Sequence, residues 1–103
     1  MKRSKYRAVP TVIDGVRFAS KREAARYSEL RLLEKVGKIV GLRRQIPFDL
    51  VMKVKYVADF VYLEPCGGEY CKIVEDVKGY QTREFKRKKK LMLQQHNIEL
   101  RIT

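Results

Sequence analysis

The sequence predicts a small α/β domain in which a central mixed β-sheet is flanked by two helices. Its 103 residues are too few to build two separate hydrophobic cores. An apolar fraction of 45% is typical of a folded chain. Segments of strand and helix character follow in the order hairpin, helix, strands, helix, strand. We therefore expect one domain over residues 1–103, in which residues 1–8 form a basic N-terminal arm.

The first elements are predicted from turn and cap residues. Asp14 and Gly15 stand between two β-prone runs, and this dipeptide is typical of a tight hairpin turn because both positions accept a positive φ. Ser20 followed by Glu23 has the spacing of a capping box, which predicts that a helix begins there. Gly37 is the residue type that ends a helix, so this first helix should extend to about residue 36.

The later elements are predicted from composition. Residues 38–42 and 46–50 should form short extended segments, the second at a sheet edge because Pro47 cannot donate a ladder hydrogen bond. Residues 56–63 and 70–77 are rich in β-branched and aromatic residues and should form a hairpin around Gly67 and Gly68. Thr82 is a suitable N-cap for a second helix to about His96, and residues 98–102 alternate as a last strand.

The two cysteines, Cys66 and Cys71, lie on either side of this predicted turn. A structural zinc site usually takes four nitrogen or sulfur ligands, and only His96 could join them. We therefore expect reduced thiols near a turn and assign them no function.

The charge of the chain points to a polyanionic partner. Twenty-four Lys and Arg against twelve Asp and Glu give a net charge of +12. Such an excess attracts nucleic acid or an acidic membrane surface. No apolar run approaches the roughly 18 to 20 residues that span a bilayer, and no apolar stretch follows the basic N-terminus as in a signal peptide. We expect a cytoplasmic protein with no membrane partner.

The start of the second helix is strongly basic, with six cationic residues among positions 83–90. Cations at a helix N-terminus oppose the macrodipole and repel one another, so phosphate binding explains them better than stability does. A solvated lysine-rich face is the alternative. The candidate DNA-binding residues here and in the N-terminal arm are Lys2, Arg3, Lys5, Arg83, Lys86, Arg87, Lys89 and Lys90.

The central hairpin contains two acidic residues that should face each other. If Gly67 and Gly68 form a two-residue turn, Asp59 stands opposite Asp76, with Val57, Val61 and Val74 on the same face and Lys78 one step along it. Two facing carboxylates on an apolar face destabilise a sheet, and a divalent cation such as Mg²⁺ or Mn²⁺ removes that conflict. Alternatively, the carboxylates face solvent and Lys78 neutralises them as a surface ion pair.

These residues resemble the signature of the PD-(D/E)XK nucleases. Asp59 corresponds to the first Asp of the motif, and Asp76, Val77 and Lys78 correspond to its (D/E)XK element. Together with residues 15–24 and 56–60, the pattern is similar to small phage endonucleases of that superfamily, including phage Holliday junction resolvases and the endonuclease subunit of heteromeric transposases. The resemblance covers roughly residues 14–93; one departure is Ala58, which stands where the motif has Pro.

The resemblance implies a restriction-endonuclease-like fold and a set of site residues. Asp59 and Asp76 would bind Mg²⁺ or Mn²⁺ together with the Val77 carbonyl oxygen. Lys78 would orient or deprotonate the attacking water and stabilise charge on the phosphate. Glu23 would contribute from the first helix as a metal or water ligand, although its spacing from the cap residue is equally that of a purely structural capping box.

The function implied is that of a metal-dependent, structure-selective DNA endonuclease of the Holliday junction resolvase type, a hydrolase acting in DNA recombination. If the protein is encoded by a phage, it would act in the host cytoplasm. Two symmetric cuts across a four-way junction require two sites, which a homodimer provides. The alternatives are a nicking or end-processing nuclease with the same site, and a non-catalytic basic module that only binds nucleic acid.

Overall fold

The structure, a computed structural model, describes residues 11–103. Of the predicted DNA-binding residues, Lys2, Arg3 and Lys5 lie outside the described residues, as does the whole arm of residues 1–8. Within residues 11–103, no helix has both the length and the apolar character needed to cross a membrane.

The predicted α/β class is confirmed. A two-stranded antiparallel sheet precedes a four-stranded sheet whose strands lie in the order β3-β4-β5-β6, with β6 parallel to β5 and the other pairs antiparallel. The four-stranded sheet is therefore mixed, and β3 occupies an edge as Pro47 predicts. The elements in chain order are β1 (Thr11–Ile13), β2 (Val16–Phe18), α1 (Lys21–Lys35), β3 (Val40–Asp49), β4 (Lys55–Cys66), β5 (Glu69–Asp76), α2 (Arg83–His96) and β6 (Arg101–Ile102).

The predicted turns and caps form as their chemistry requires. Asp14 has a φ of 51° in the β1–β2 turn, a region that Asp tolerates better than most residues. The Ser20 Oγ accepts a hydrogen bond from the Glu23 backbone N–H at 3.2 Å and caps α1. In the same way, the Thr82 Oγ1 accepts from the Phe85 N–H at 3.1 Å and caps α2.

The hairpin of β4 and β5 has the predicted register. Gly67 and Gly68 have φ values of 58° and 85° and form a two-residue turn. Cys66 pairs with Glu69, and the ladder continues in register to the pair of Phe60 and Glu75. The next position along each strand is that of the two acidic residues, Asp59 and Asp76.

Each helix covers one face of the four-stranded sheet. On one face, Tyr27 and Leu30 of α1 pack in a cluster with Phe60 and Tyr62 of β4. On the opposite face, α2 contributes to a cluster whose buried members are Leu50, Tyr56, Ala58, Val61, Val74, Phe85, Met92 and Leu100. Successive side chains of β5 therefore point to opposite faces of the sheet, so Asp76 and Glu75 lie on different faces.

The side-chain alternation of β4 changes phase at Asp59, so one expectation from simple alternation is wrong. Val57 does not share the apolar face with Val61: it is 45% exposed, and its neighbours Tyr56 and Ala58 pack on the α2 side instead. Phe60, two residues after Ala58, packs on the α1 side. On β3, Gln45 lies between two residues that pair with Phe60 and Ala58, and it has a φ of 51°, so the irregularity involves both strands.

Three further expectations need correction. Residues 38–42 and 46–50 do not form separate segments, because β3 runs through both of them. The last strand is shorter than residues 98–102, because Asn97 ends α2 with a φ of 55° and the Ile98 N–H still bonds the Met92 carbonyl oxygen. Cys66 and Cys71 are not reduced thiols: they form a disulfide across the hairpin turn.

Candidate active site

Asp76 lies at the end of β5 with its side chain 1% exposed. Its Oδ2 accepts a hydrogen bond from the Tyr56 hydroxyl group, which comes from the beginning of β4. Its Oδ1 has no hydrogen bond, although the Lys78 Nζ lies 3.0 Å away without the alignment that a hydrogen bond needs. A buried carboxylate oxygen without a hydrogen bond is costly to folding, so this atom is a candidate ligand for a cation.

Asp59, on the neighbouring strand β4, lies close to Asp76. The Asp59 Oδ2 accepts a hydrogen bond from the Val77 N–H at 2.8 Å, which ties β4 to the segment that follows Asp76. Burial, followed by the negative charge of Asp76, raises the pKa of Asp59 to about 7. The Asp59 carboxyl group therefore takes up a proton more readily than an ordinary aspartate does, because its charged form is buried beside another acidic residue.

Lys78 reaches the same centre from the loop after β5. Its side chain is 32% exposed, and the Nζ lies 4.7 Å from the centre of the Phe85 ring of α2 in addition to its contact with Asp76. The ring face attracts a cation and limits the positions that the side chain can take. The Lys78 ammonium group is therefore held beside the carboxylates at the surface of the protein.

Glu23 lies near the two aspartates but has its own partners. Its carboxylate accepts a hydrogen bond from the Gln45 Nε2 at 3.4 Å and lies 3.8 Å from the Arg44 Nη2, both on β3. Burial raises the pKa of Glu23, the positive charge of Arg44 opposes that rise, and the charge of Asp76 adds to it. Its backbone N–H is the group that Ser20 caps, while its side chain points toward β3 and the acidic centre.

The far side of β5 holds Glu75 in a buried ionic network. Glu75 is fully buried and accepts hydrogen bonds from the Arg26 Nε at 2.7 Å and Nη2 at 3.0 Å, the Tyr62 hydroxyl at 2.6 Å and the Thr103 Oγ1 at 3.0 Å. Burial raises the pKa of Glu75, but these hydrogen bonds outweigh it and the pKa lies below its usual range. Glu75 therefore faces away from Asp76 and takes no part in the acidic centre.

The backbone after β5 is fixed by Thr103. The Thr103 N–H donates to the Asp76 carbonyl oxygen at 3.0 Å, and the Lys78 N–H donates to the Thr103 carbonyl oxygen at 3.3 Å. Together with the bond from Asp59 to the Val77 N–H, these contacts hold three successive residues at the edge of the site. The segment that carries Asp76, Val77 and Lys78 is therefore held in place from both sides.

The residues present fit a hard divalent cation held by two carboxylates. The cation would give a direct ligand bond to the Asp76 Oδ1, which otherwise has only the ion-pair contact with Lys78, and would favour the charged form of Asp59. Among residues 11–103, no group of three or more His, Cys, Asp or Glu side chains is arranged to hold a metal. The set from the chain would then be Asp59, Asp76 and the Val77 carbonyl oxygen, and water would supply the other ligands.

A groove of about 320 Å³ opens beside this centre. Asp76, Lys78 and Glu84 are among its lining residues, and Lys55 and Lys88 add two further positive charges. Of the predicted DNA-binding residues on α2, Arg83, Lys86, Arg87 and Lys90 are exposed and Lys89 is half-buried. The groove therefore combines a buried acidic centre with a positively charged rim, which suits a phosphate backbone.

The structure adds site residues that the sequence patterns did not single out. The sequence identifies Tyr56 only as a residue of a predicted strand. Its hydroxyl group reaches Asp76 because the side-chain alternation of β4 changes phase at Asp59. Arg44 stacks on the Phe18 ring, with the Cζ 4.4 Å from the ring centre, and lies beside Glu23. No local signal could place Arg44, because its partners come from β2 and α1, far away in the sequence.

The chain belongs to the family described as protein of unknown function (DUF1064), whose model matches residues 3–103. No curated protein and no solved structure gives a significant match to the chain.

Proposed function

We propose that this member of the DUF1064 family is a metal-dependent DNA endonuclease that hydrolyses phosphodiester bonds. The observation that carries the proposal is the pair of Asp59 and Asp76: two neighbouring carboxyl groups, one of them fully buried with an oxygen that accepts no hydrogen bond, beside an ammonium group at the edge of a basic groove. Folding alone gives no reason to retain this arrangement, whereas hydrolysis of a phosphodiester requires a cation, a water molecule and a positive charge near the phosphate.

In this proposal, different residues of the site have different roles in the reaction. Asp59, Asp76 and the Val77 carbonyl oxygen would hold Mg²⁺ or Mn²⁺, which when bound supplies charge neutralisation and an activated water. Lys78 is held by the Phe85 ring at the mouth of the site, where its ammonium group stabilises negative charge that develops on the phosphate. Glu23, kept near the centre by Gln45 and Arg44, is placed to accept a hydrogen bond from the water.

The groove residues position the DNA. Lys55 and Lys88 line the groove next to Lys78, and the exposed cations of α2 extend the positive surface away from it. Contacts to phosphates fix the register of a protein on DNA without reading sequence. This favours an enzyme that recognises the shape of its substrate more than its bases.

Branched DNA is the substrate class that we propose, with a Holliday junction as its principal member. The support is the resemblance of Asp59, Asp76, Val77 and Lys78, with their flanking segments, to phage junction resolvases. Residues 11–103 hold one such centre, and resolution of a junction needs two symmetric cuts, so the active form would be a homodimer acting on DNA in the cytoplasm.

The test is cleavage of labelled DNA by the purified protein on four substrates: a four-way junction, a flap, a nicked duplex and a linear duplex. Each is incubated with Mg²⁺, with Mn²⁺ and with EDTA. Paired symmetric nicks in the junction that require metal support the proposal. Cleavage restricted to the flap or nick indicates an end-processing or nicking enzyme with the same site.

The non-catalytic alternative predicts a different result, because the exposed cations of α2 would suffice for binding. Binding would then be sensitive to salt and indifferent to the substitution Asp76→Asn, and no substrate would be cut with either metal. That outcome would overturn the nuclease proposal and leave a binding module.

A further inference from the structure

The turn between β3 and β4, formed by Val51–Lys53, carries an unusual backbone and an unusual side chain. Met52 has φ 58° and ψ 35°, and Lys53 has a φ of 61°, so two successive residues other than glycine adopt the left-handed region. That region is unfavourable for residues with a long side chain and is normally left to Gly, Asn or Asp. The Met52 side chain is 90% exposed.

Folding gives no reason for methionine at this position. The turn is closed by its own backbone, with the Leu50 N–H donating to the Val54 carbonyl oxygen at 2.8 Å and the Val54 N–H donating to the Val51 carbonyl oxygen at 3.2 Å. Glycine or asparagine would make the same turn with less strain. Backbone strain that folding does not require is found mostly at functional sites, so the strained turn at Met52 is a candidate contact site.

The turn lies next to the basic groove. Lys55 follows Met52 by three residues, so the two Cα atoms are within about 10 Å of each other. Lys55, Tyr56 and Val57 line the groove together with Asp76 and Lys78. The Lys55 Nζ is 3.5 Å from the Asp49 Oδ1, but both side chains are largely exposed, and such a pair exchanges readily for a phosphate.

We propose that Met52 is a wedge that enters between adjacent bases of the DNA in the groove, while Lys53 and Lys55 contact the flanking phosphates. Unbranched methionine is one of the apolar side chains that proteins use to separate base steps. A wedge costs less where stacking is already broken, so Met52 favours a branch point over uniform duplex. The inference rests on the proposed function in one respect only, that DNA occupies this groove.

The experiment uses DNA with 2-aminopurine, a base that becomes more fluorescent when it is unstacked, next to the branch of a four-way junction. All proteins carry Asp76→Asn, so that binding is observed without cleavage. We expect a rise in fluorescence that Met52→Ala removes and Met52→Leu retains. Because the wedge acts where stacking is already broken, Met52→Ala should reduce the preference for junction over duplex by about tenfold and leave duplex affinity nearly unchanged.

Two controls separate the wedge from a general effect. Leu32→Ala removes another exposed apolar side chain, on α1, where Leu32 is 62% exposed, and should change neither the fluorescence nor the junction preference. Met52→Asn suits the left-handed backbone, so the thermal unfolding midpoint should stay unchanged or rise while the junction preference is lost. Loss of preference with unimpaired stability cannot come from a damaged fold.

The proposal is overturned if Met52→Ala keeps both the fluorescence rise and the junction preference. It is also overturned if Met52→Ala alters only the association of two copies, because the turn would then be a protein contact. If Met52 gives the expected fluorescence rise but the wild-type protein cuts no DNA, the wedge proposal stands and the nuclease proposal is rejected. If the wild-type protein cuts DNA with metal but no fluorescence rise depends on Met52, the nuclease proposal stands and the wedge proposal is rejected. Failure to bind DNA would reject both proposals.

Discussion

Removal of Arg26 should destabilise the protein strongly, because Glu75 would be left buried without its counter-ion. Arg26 supplies two of the hydrogen bonds that the Glu75 carboxylate accepts, and Glu75 is fully buried while the Arg26 side chain is 22% exposed. Breaking a buried ion pair by removing one partner costs about 3–5 kcal/mol. The residual exposure of Arg26 places Arg26→Met at the lower end, about 3 kcal/mol, which in a domain of this size lowers the unfolding midpoint by roughly 12–24 °C.

The assay is urea and thermal unfolding of Arg26→Met, Glu75→Gln and the double variant. The double variant should be more stable than Arg26→Met alone, because it contains no uncompensated buried charge. Arg31→Met serves as the matched control: Arg31 pairs with Glu34 on the same helix at 3.1 Å but is 52% exposed, so its loss should cost less than about 1 kcal/mol.

The pH dependence of the unfolding free energy provides a second test of this prediction. In the wild type the pKa of Glu75 lies below its usual range, so its contribution to stability is present above pH 4.5 and is lost as the pH falls. In Arg26→Met, burial without the guanidinium group raises that pKa, and stability is lost as the pH rises. The difference between the two proteins should therefore grow with pH. A cost under about 1 kcal/mol, or a difference independent of pH, would show that the pair does not support β5 as described.

Three other predictions concern the site. Because the folded-state pKa of Asp59 is about 7, above its ordinary value of 3.8, the stability of the metal-free protein should fall as the pH rises from 3.8 to about 7. When unfolding is followed at a series of pH values, this slope should become shallower in Asp59→Asn, where the raised pKa of Glu23 still contributes. Tyr56→Phe removes the hydroxyl group that donates a hydrogen bond to the buried Asp76, and it should lower the free energy of unfolding in urea with EDTA by about 1–3 kcal/mol. Part of that loss should be recovered in Mg²⁺, and an equal loss with and without Mg²⁺ would count against a cation at Asp76. Lys86→Ser and Lys89→Ser should each weaken DNA binding without abolishing cleavage, and each should lower the salt dependence of binding by about one phosphate contact. Fluorescence anisotropy at several salt concentrations measures this dependence. An unchanged dependence of affinity on salt would show that α2 is not part of the interface.

Much of the fold could be predicted because its signals are local. The Asp14 turn and the caps at Ser20 and Thr82 depend on residues within three positions of each other. The glycine pair at the β4–β5 turn sets the hairpin register, and this register, which runs as far as the pair of Phe60 and Glu75, predicts that Asp59 and Asp76 are neighbours. The composition of the site was therefore readable from the sequence, since two acidic residues on paired strands depend on one turn.

The rest depends on contacts between distant segments. Arg26 and Glu75 are 49 positions apart, and neither residue has a neighbour in the sequence that marks the pair. The change of phase at Asp59 moves Val57 to solvent and brings Tyr56 to Asp76, and simple alternation along a strand cannot anticipate it. The disulfide of Cys66 and Cys71 also follows from the hairpin geometry and not from ligand counting.

Single-turnover cleavage of a labelled four-way junction tests the proposed chemistry most directly. Wild type, Asp76→Asn and the matched control Asp49→Asn, which changes an exposed aspartate at the end of β3, are compared in Mg²⁺ and in EDTA. We predict cleavage by wild type and Asp49→Asn in Mg²⁺ only, and no cleavage by Asp76→Asn even though it still binds the junction. Equal cleavage by Asp76→Asn, or cleavage that persists in EDTA, would contradict a metal-dependent centre at Asp59 and Asp76.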